Sequence, residues 1–134
     1  MGEDIAASFL LAQGHEILER NYTLKCGELD IISRETGKMH FIEVKSIACD
    51  LVETPEPWKY GKYYRPEENL HPKKMGRIKT TLQAYLMSLS KRQADRDKGQ
   101  SHEGNLPWQF DLYVVYVDDI HRKGIVKPIK NIIL

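Results

Sequence analysis

Two short stretches constrain this chain more than anything else in it: Gly27-Glu28-Leu29-Asp30-Ile31-Ile32 and His40-Phe41-Ile42-Glu43-Val44-Lys45. Each has the branched apolar content of a β-strand. The polar segment between them, Ser33-Arg34-Glu35-Thr36-Gly37-Lys38, reads as a hairpin connection. Residues two apart on a strand share a face. Glu28 and Asp30 therefore project together from the first strand and Glu43 and Lys45 from the second, while Leu29, Ile31, Ile42 and Val44 fill the opposite side. In an antiparallel pair the partner numbers keep a constant sum. An even sum such as 72 sets Asp30 against Ile42 and mixes acids with aliphatics on both faces. A two-residue Thr36-Gly37 loop pairs Glu35 with Lys38, a sum of 73, which puts Asp30 across from Glu43 and Glu28 across from Lys45. A one-residue slip turns every side chain over, so burial of one face selects strongly between registers. The expected hairpin has one aliphatic face and one face carrying three acids and a lysine.

Carboxylates converging on one point raise each other's pKa unless a cation sits among them. A hard divalent ion such as Mg²⁺ suits oxygen ligands and keeps several waters. A lysine two residues after a ligand carboxylate lies beside such an ion, where it can orient a water or stabilise charge developing on a phosphate. The same spacing also serves an exposed sheet face with ordinary cross-strand charge pairs.

The rest of the chain supplies the setting. At 134 residues a single domain over 1–134 is expected. No apolar run approaches the ~20 residues of a membrane span, and the acidic start has none of the marks of a signal peptide. Cys26 and Cys49 lack metal-ligand spacing, which fits a reducing cytoplasm. The net charge of +1 hides an asymmetry: residues 59–98 carry eleven Lys/Arg against four Asp/Glu, and the remainder nine against fifteen.

Glu3 to Gln13 reads as a helix with Ile5, Ala6, Phe9 and Leu10 as its apolar stripe and Gly14 as its stop. His15 to Asn21 reads as a strand, with His15 and His40 as surface or edge residues rather than ligands. Between Ile47 and Leu70 prolines interrupt any pattern, and Trp58, Tyr60, Tyr63 and Tyr64 are interleaved with Lys59, Lys62 and Arg65. Such mixtures stack on bases and track phosphates, or pin a loop to the core. Lys62 and Tyr63 are candidates for the first role. Pro72 opens a strong helix with Met75, Ile78, Leu82, Tyr85, Leu86 and Leu89 as its core stripe. Lys73, Lys74, Arg77 and Lys79 crowd its N-terminal half, where dipole and side-chain charge both favour a phosphate. Ser90 to Pro107 reads as a long surface connection. Phe110 to Val117 reads as a buried strand reached by a crossover to a parallel position, and Val126 to Leu134 as an edge strand and tail. The element order is αβββαβ.

Gly27-Glu28-x-Asp30 followed by Phe41-Ile42-Glu43-Val44-Lys45 resembles the signature of the PD-(D/E)xK nuclease superfamily, and more narrowly the small bacterial YraN-like proteins, related in fold to archaeal Holliday-junction resolvases. Gly2-Glu3 with Ala6 or Ala7, Gly14, Asn21-Tyr22, Lys74 ahead of Ile78, Tyr85-Leu86, Phe110-Asp111 and Asn131 extend the match over most of the chain. The resemblance implies a restriction-endonuclease-like αβββαβ core of class α/β, a mixed sheet flanked by helices. It implies Asp30, Glu43 and Lys45 as catalytic residues, with Asp30 and Glu43 on Mg²⁺ or Mn²⁺, the Val44 backbone carbonyl as a further ligand, and Glu3 and Glu28 as accessory ligands. DNA, branched or structured, is the implied partner, and a homodimer would suit a two-stranded substrate. Ile47 and Gln109 depart from the pattern where bases are common, which bears on phosphate contacts rather than on the metal ligands.

Three functions are therefore expected of such a chain, in this order: a metal-dependent nuclease, a non-catalytic nucleic-acid-binding module that retains the fold, and a scaffold engaging a protein through the aromatics of 58–64.

Overall fold

Thr36 and Gly37 both adopt positive φ, 51° and 71°, and the tight turn they make matches the right-handed twist of the strands it joins. The computed structural model describes residues 1–59, 70–97 and 106–134. Helix α1 (Gly2–Ala12) is followed by β1 (Glu16–Leu24), β2 (Gly27–Glu35) and β3 (Lys38–Ala48), then by a single 3₁₀ turn at Pro57–Lys59. Helix α2 (Pro72–Asp97), β4 (Trp108–Asp118) and β5 (Lys123–Ile129) complete the order. Strands β1 to β5 form one five-stranded sheet in sequence order. Pairing is antiparallel throughout except between β3 and β4, which run parallel across the α2 connection. This is the mixed sheet flanked by helices that the sequence predicts.

The β2–β3 register runs from Glu35↔Lys38 through Ser33↔His40 to Ile31↔Ile42, the odd sum of 73. Ala6, Ala7 and Leu10 of α1 bury against Ile31, Ile42, Tyr113 and Val115 on one face of the sheet. On the other face Ile78, Leu82, Tyr85, Leu86 and Leu89 of α2 cover Ile32, Met39, Phe41 and Phe110. Beyond the reach of α2, Leu51 and Trp58 close over Val114 and Tyr116. β4 is consequently buried on both sides, as the apolar residues on both its faces predict.

Three local expectations are corrected. Leu29 packs with the α2 cluster rather than with Ile31, Ile42 and Val44. The registered pairing ends at Ile31↔Ile42, so strict alternation does not carry past it on β2, whereas β3 stays in register with β4 to Ala48. α2 continues to Asp97 across residues expected to be a connection. Lys91-Arg92-Gln93-Ala94 are strong helix formers but carry no apolar period to announce themselves. Finally, His15 and His40, expected as surface or edge residues, are each only 6% exposed, although His15 does lie directly ahead of the edge strand β1.

Candidate functional site

Where the registered β2–β3 pairing stops, a side chain takes over. Asp30 Oδ2 accepts the Val44 N–H at 2.8 Å, which holds the two strands together while turning one carboxylate toward the end of β3. Asp30 is buried, and Glu28 and Glu43 join it in lining a cavity of about 750 Å³. The opposite wall is the start of α2, contributing Lys73, Lys74 and Arg77. Lys74 Nζ lies 3.0 Å from Glu43 Oε1. Glu3, in the first turn of α1, lies near enough to Asp30 for its charge to raise the Asp30 pKa.

The electrostatics follow from this crowding. Burial, and next the negative charge of Glu43, push the Asp30 carboxyl up to about 7. The Val44 N–H opposes the rise, and the charge and hydrogen bond of Glu3 add to it. Acids at 3, 30 and 43 thus converge with a proton standing where a cation would serve better.

Two glycines set the geometry. A Cβ on Gly27 would lie 2.8 Å from Thr81 Oγ1 and 3.3 Å from the Arg77 carbonyl oxygen, so the bare backbone of β2 lets α2 approach and bring Arg77 and Lys74 over the acids. A Cβ on Gly2 would collide with the Ser46 side chain, so the same device seats α1 against β3 and carries Glu3 to Asp30. Gly27→Ala is expected to push the first turns of α2 outward and to cost about 1–3 kcal/mol in urea unfolding, the range for overpacking a close contact. An unchanged midpoint would show that α2 yields freely there.

The predicted residues sort plainly. Asp30, Glu43, Glu28, Lys73, Lys74 and Arg77 line one cavity, and Glu3 stands outside the lining but near enough to Asp30 to raise its pKa. Val44 is present through its backbone N–H. Lys45 is exposed on β3, in register with Val114 and outside the cavity lining, and Lys79 is likewise exposed and outside it. Lys62 and Tyr63 fall outside the described residues. Trp58 is pinned rather than free: its ring is 5.8 Å from Tyr116, with Lys127 Nζ 4.9 Å above it.

Sequence reasoning missed the Lys74–Glu43 pair, because nothing in their spacing reveals how closely α2 descends on β3. It also read Gln109 only as a missing base. Gln109 Nε2 donates to Asp111 Oδ1 at 2.7 Å, and the same oxygen accepts the Asn131 N–H at 3.0 Å. Gln109 thus serves the buried Asp111, and the Phe110-Asp111 and Asn131 features prove to be partners.

Comparison with known proteins gives one consistent family. The model of the uncharacterised protein family UPF0102 matches residues 2–115. A UPF0102 protein of Campylobacter lari is 38% identical over 119 residues, which make up 89% of this chain and 83% of that protein. A UPF0102 protein of Clostridium botulinum is 33% identical over 131 residues, 97% of this chain and 88% of its own length.

Proposed function

This chain belongs to the uncharacterised protein family UPF0102, and we propose that it is a metal-dependent nuclease of the PD-(D/E)xK superfamily cleaving phosphodiester bonds of branched or otherwise structured DNA. One observation carries the reading: Asp30, Glu43 and Glu28 share a cavity with the cationic start of α2. An acidic floor suits a metal, and a basic wall a few ångströms away suits the phosphate that the metal would act on.

The donor set fits a hard divalent cation. Asp30 and Glu43 offer carboxylate oxygens at a place where Asp30 ionises only against the charge of Glu43 and against burial, the imbalance that Mg²⁺ or Mn²⁺ relieves. Asp30, Glu43 and the Val44 carbonyl would hold the ion, with Glu3 and Glu28 as accessory carboxylates. When bound, it would withdraw charge from a phosphate oxygen and acidify a coordinated water. The chain's own residues do the rest. Lys45 orients the attacking water and stabilises charge developing at phosphorus. Lys73, Lys74 and Arg77 hold the backbone of the nucleic acid, reading no base sequence. Lys74 has a second duty: paired with Glu43 at 3.0 Å, it neutralises that acid when no metal is present and is released toward phosphate when one is.

A second reading, a nucleic-acid-binding module without catalysis, draws support from the same pair, since Lys74 satisfies Glu43 with no ion at all. Calorimetry with Mn²⁺ separates them. The nuclease reading expects wild-type protein to bind Mn²⁺, and Asp30→Ala and Glu43→Ala to lose it. Equal binding by all three sinks the metal assignment. For the phosphate-binding wall, Lys74→Ala with Arg77→Ala should weaken DNA binding across all sequences. The double change should also flatten the salt dependence, by a slope of about one for each phosphate no longer neutralised. Unchanged affinity and slope would make both residues ordinary surface charge.

A further inference from the structure

At the far end of the β2–β3 hairpin from Asp30 lies a second group of ligand-bearing side chains. His15 stands just ahead of β1, Glu35 ends β2 and His40 lies near the start of β3. His15 Nε2 is 3.0 Å from Glu35 Oε2, and His40 Nε2 is 3.7 Å from the same oxygen. One donor atom from each of the three side chains lies within 4.8 Å of the others. Glu35 lies five positions beyond Asp30 along β2, roughly 17 Å of strand, so this group is independent of the acidic cavity.

Three features distinguish it from a chance meeting of polar groups. The first is the outer nitrogen of each ring. His15 Nδ1 is 2.8 Å from Ser33 Oγ, and His40 Nδ1 is 3.2 Å from Asp111 Oδ2. Metal-ligating histidines almost always use their second nitrogen in this way, on a carboxylate or other acceptor, which fixes the ring's direction and tautomer. Asp111 is itself fully buried and held by Gln109 and Asn131. The second is spacing. Zinc bonds of about 2.0–2.1 Å in a tetrahedron place ligand atoms roughly 3.4 Å apart, and separations of 3.0 and 3.7 Å bracket that distance. The third is access. Both imidazoles are buried, with ring centroids 4.6 Å apart, whereas the Glu35 side chain is 39% exposed and gives an ion a way in.

We propose that His15 Nε2, Glu35 Oε2 and His40 Nε2 form a metal site for a borderline dication, Zn²⁺ by ligand type, with water in the fourth position. Two imidazoles and one carboxylate suit zinc rather than Mg²⁺ or Mn²⁺. With both rings packed into the end of the sheet, the ion acts as a clip joining the starts of β1 and β3 to the end of β2.

The test uses chelator-stripped, full-length protein titrated with Zn²⁺ by calorimetry and followed by thermal unfolding, for wild type, Glu35→Gln and Asp30→Ala. Wild type and Asp30→Ala are expected to share one Zn²⁺ site of matching affinity and to gain melting temperature as it fills. Glu35→Gln, which alters a half-exposed side chain, is expected to bind on the order of 10²-fold more weakly, at or beyond the top of the range for removing a group that merely supports a ligand, and to gain nothing on heating. Equal Zn²⁺ affinity in wild type and Glu35→Gln overturns the proposal. Should Glu35→Gln fold poorly, the unaltered protein decides. ¹⁵N spectra of the histidines should show Zn²⁺ moving the Nε2 resonances of His15 and His40, and Co²⁺ should give the intense visible bands of a four-coordinate ion. Unmoved resonances, or the spectrum of hydrated Co²⁺, overturn it equally. Because Asp30→Ala removes the acidic cavity's metal and spares this one, failure of the nuclease reading and failure of the clip are distinguishable.

Discussion

Asp30→Asn is expected to abolish metal-dependent cleavage and, at pH 8 without metal, to make the protein harder to unfold. The two effects share one cause. An ordinary aspartate has a pKa of 3.8, and folding pushes Asp30 up to about 7. The folded state therefore binds this proton more tightly than the unfolded state. Stability from that proton is fully present below about pH 4 and is lost as pH rises through about 7. Roughly three pKa units at about 1.36 kcal/mol each set a ceiling of about 4 kcal/mol on the loss. Asparagine keeps the size of the side chain and an oxygen for the Val44 N–H, yet never ionises. Urea unfolding from pH 4 to 8 in chelator should show wild type weakening with pH and the variant comparatively flat. Equal stability at pH 8 would mean that Asp30 ionises at no cost to the fold.

Lys45→Ala should lower single-turnover cleavage on the order of 10²–10³-fold, the usual consequence of removing one electrostatic stabiliser of developing charge. Metal affinity should hardly change, because a lysine is not a ligand. Lys45→Arg should not restore the full rate, since a planar fork does not reproduce a compact ammonium. The measurement also decides between two cations. Lys45 shares the face of Glu43 by strand alternation but stays outside the cavity lining, whereas Lys74 already touches Glu43. A wild-type rate in Lys45→Ala, with a large loss in Lys74→Ala, would transfer the stabilising role to α2.

Much of this was legible because a hairpin register is arithmetic. Once Thr36-Gly37 is read as the loop, the sum of 73 fixes every partner as far as Ile31↔Ile42; the expected Asp30–Glu43 and Glu28–Lys45 pairs lie beyond that end, and Asp30 meets Glu43 in the cavity they share. The helical stripe from Ile78 to Leu89 was equally readable, since its period names its own buried face. What escaped notice depends on how elements approach one another in space. Leu29 changes partners because Asp30 replaces backbone pairing with a side-chain bond. Lys74 meets Glu43 only because Gly27 lets α2 descend. The His15, Glu35 and His40 group is assembled from the β2–β3 register and from that of β1, whose pairing shifts between Ile17 and Glu19, and no spacing in the chain foretells that irregularity. Ser33 opposite His40, with Glu35 nearby, was the available signal.

The central claim, that Asp30 and Glu43 hold a catalytic metal over a DNA backbone, is tested most directly by one cleavage panel. Single-stranded, duplex, flap and four-way DNA are incubated under single-turnover conditions with Mg²⁺ or Mn²⁺, with wild type beside Asp30→Ala. The expected result is metal-dependent cutting of at least one structured substrate by wild type and none by Asp30→Ala, which still binds the DNA in chelator. The contradicting result is no cutting by either protein on any substrate, or cutting that survives the loss of Asp30.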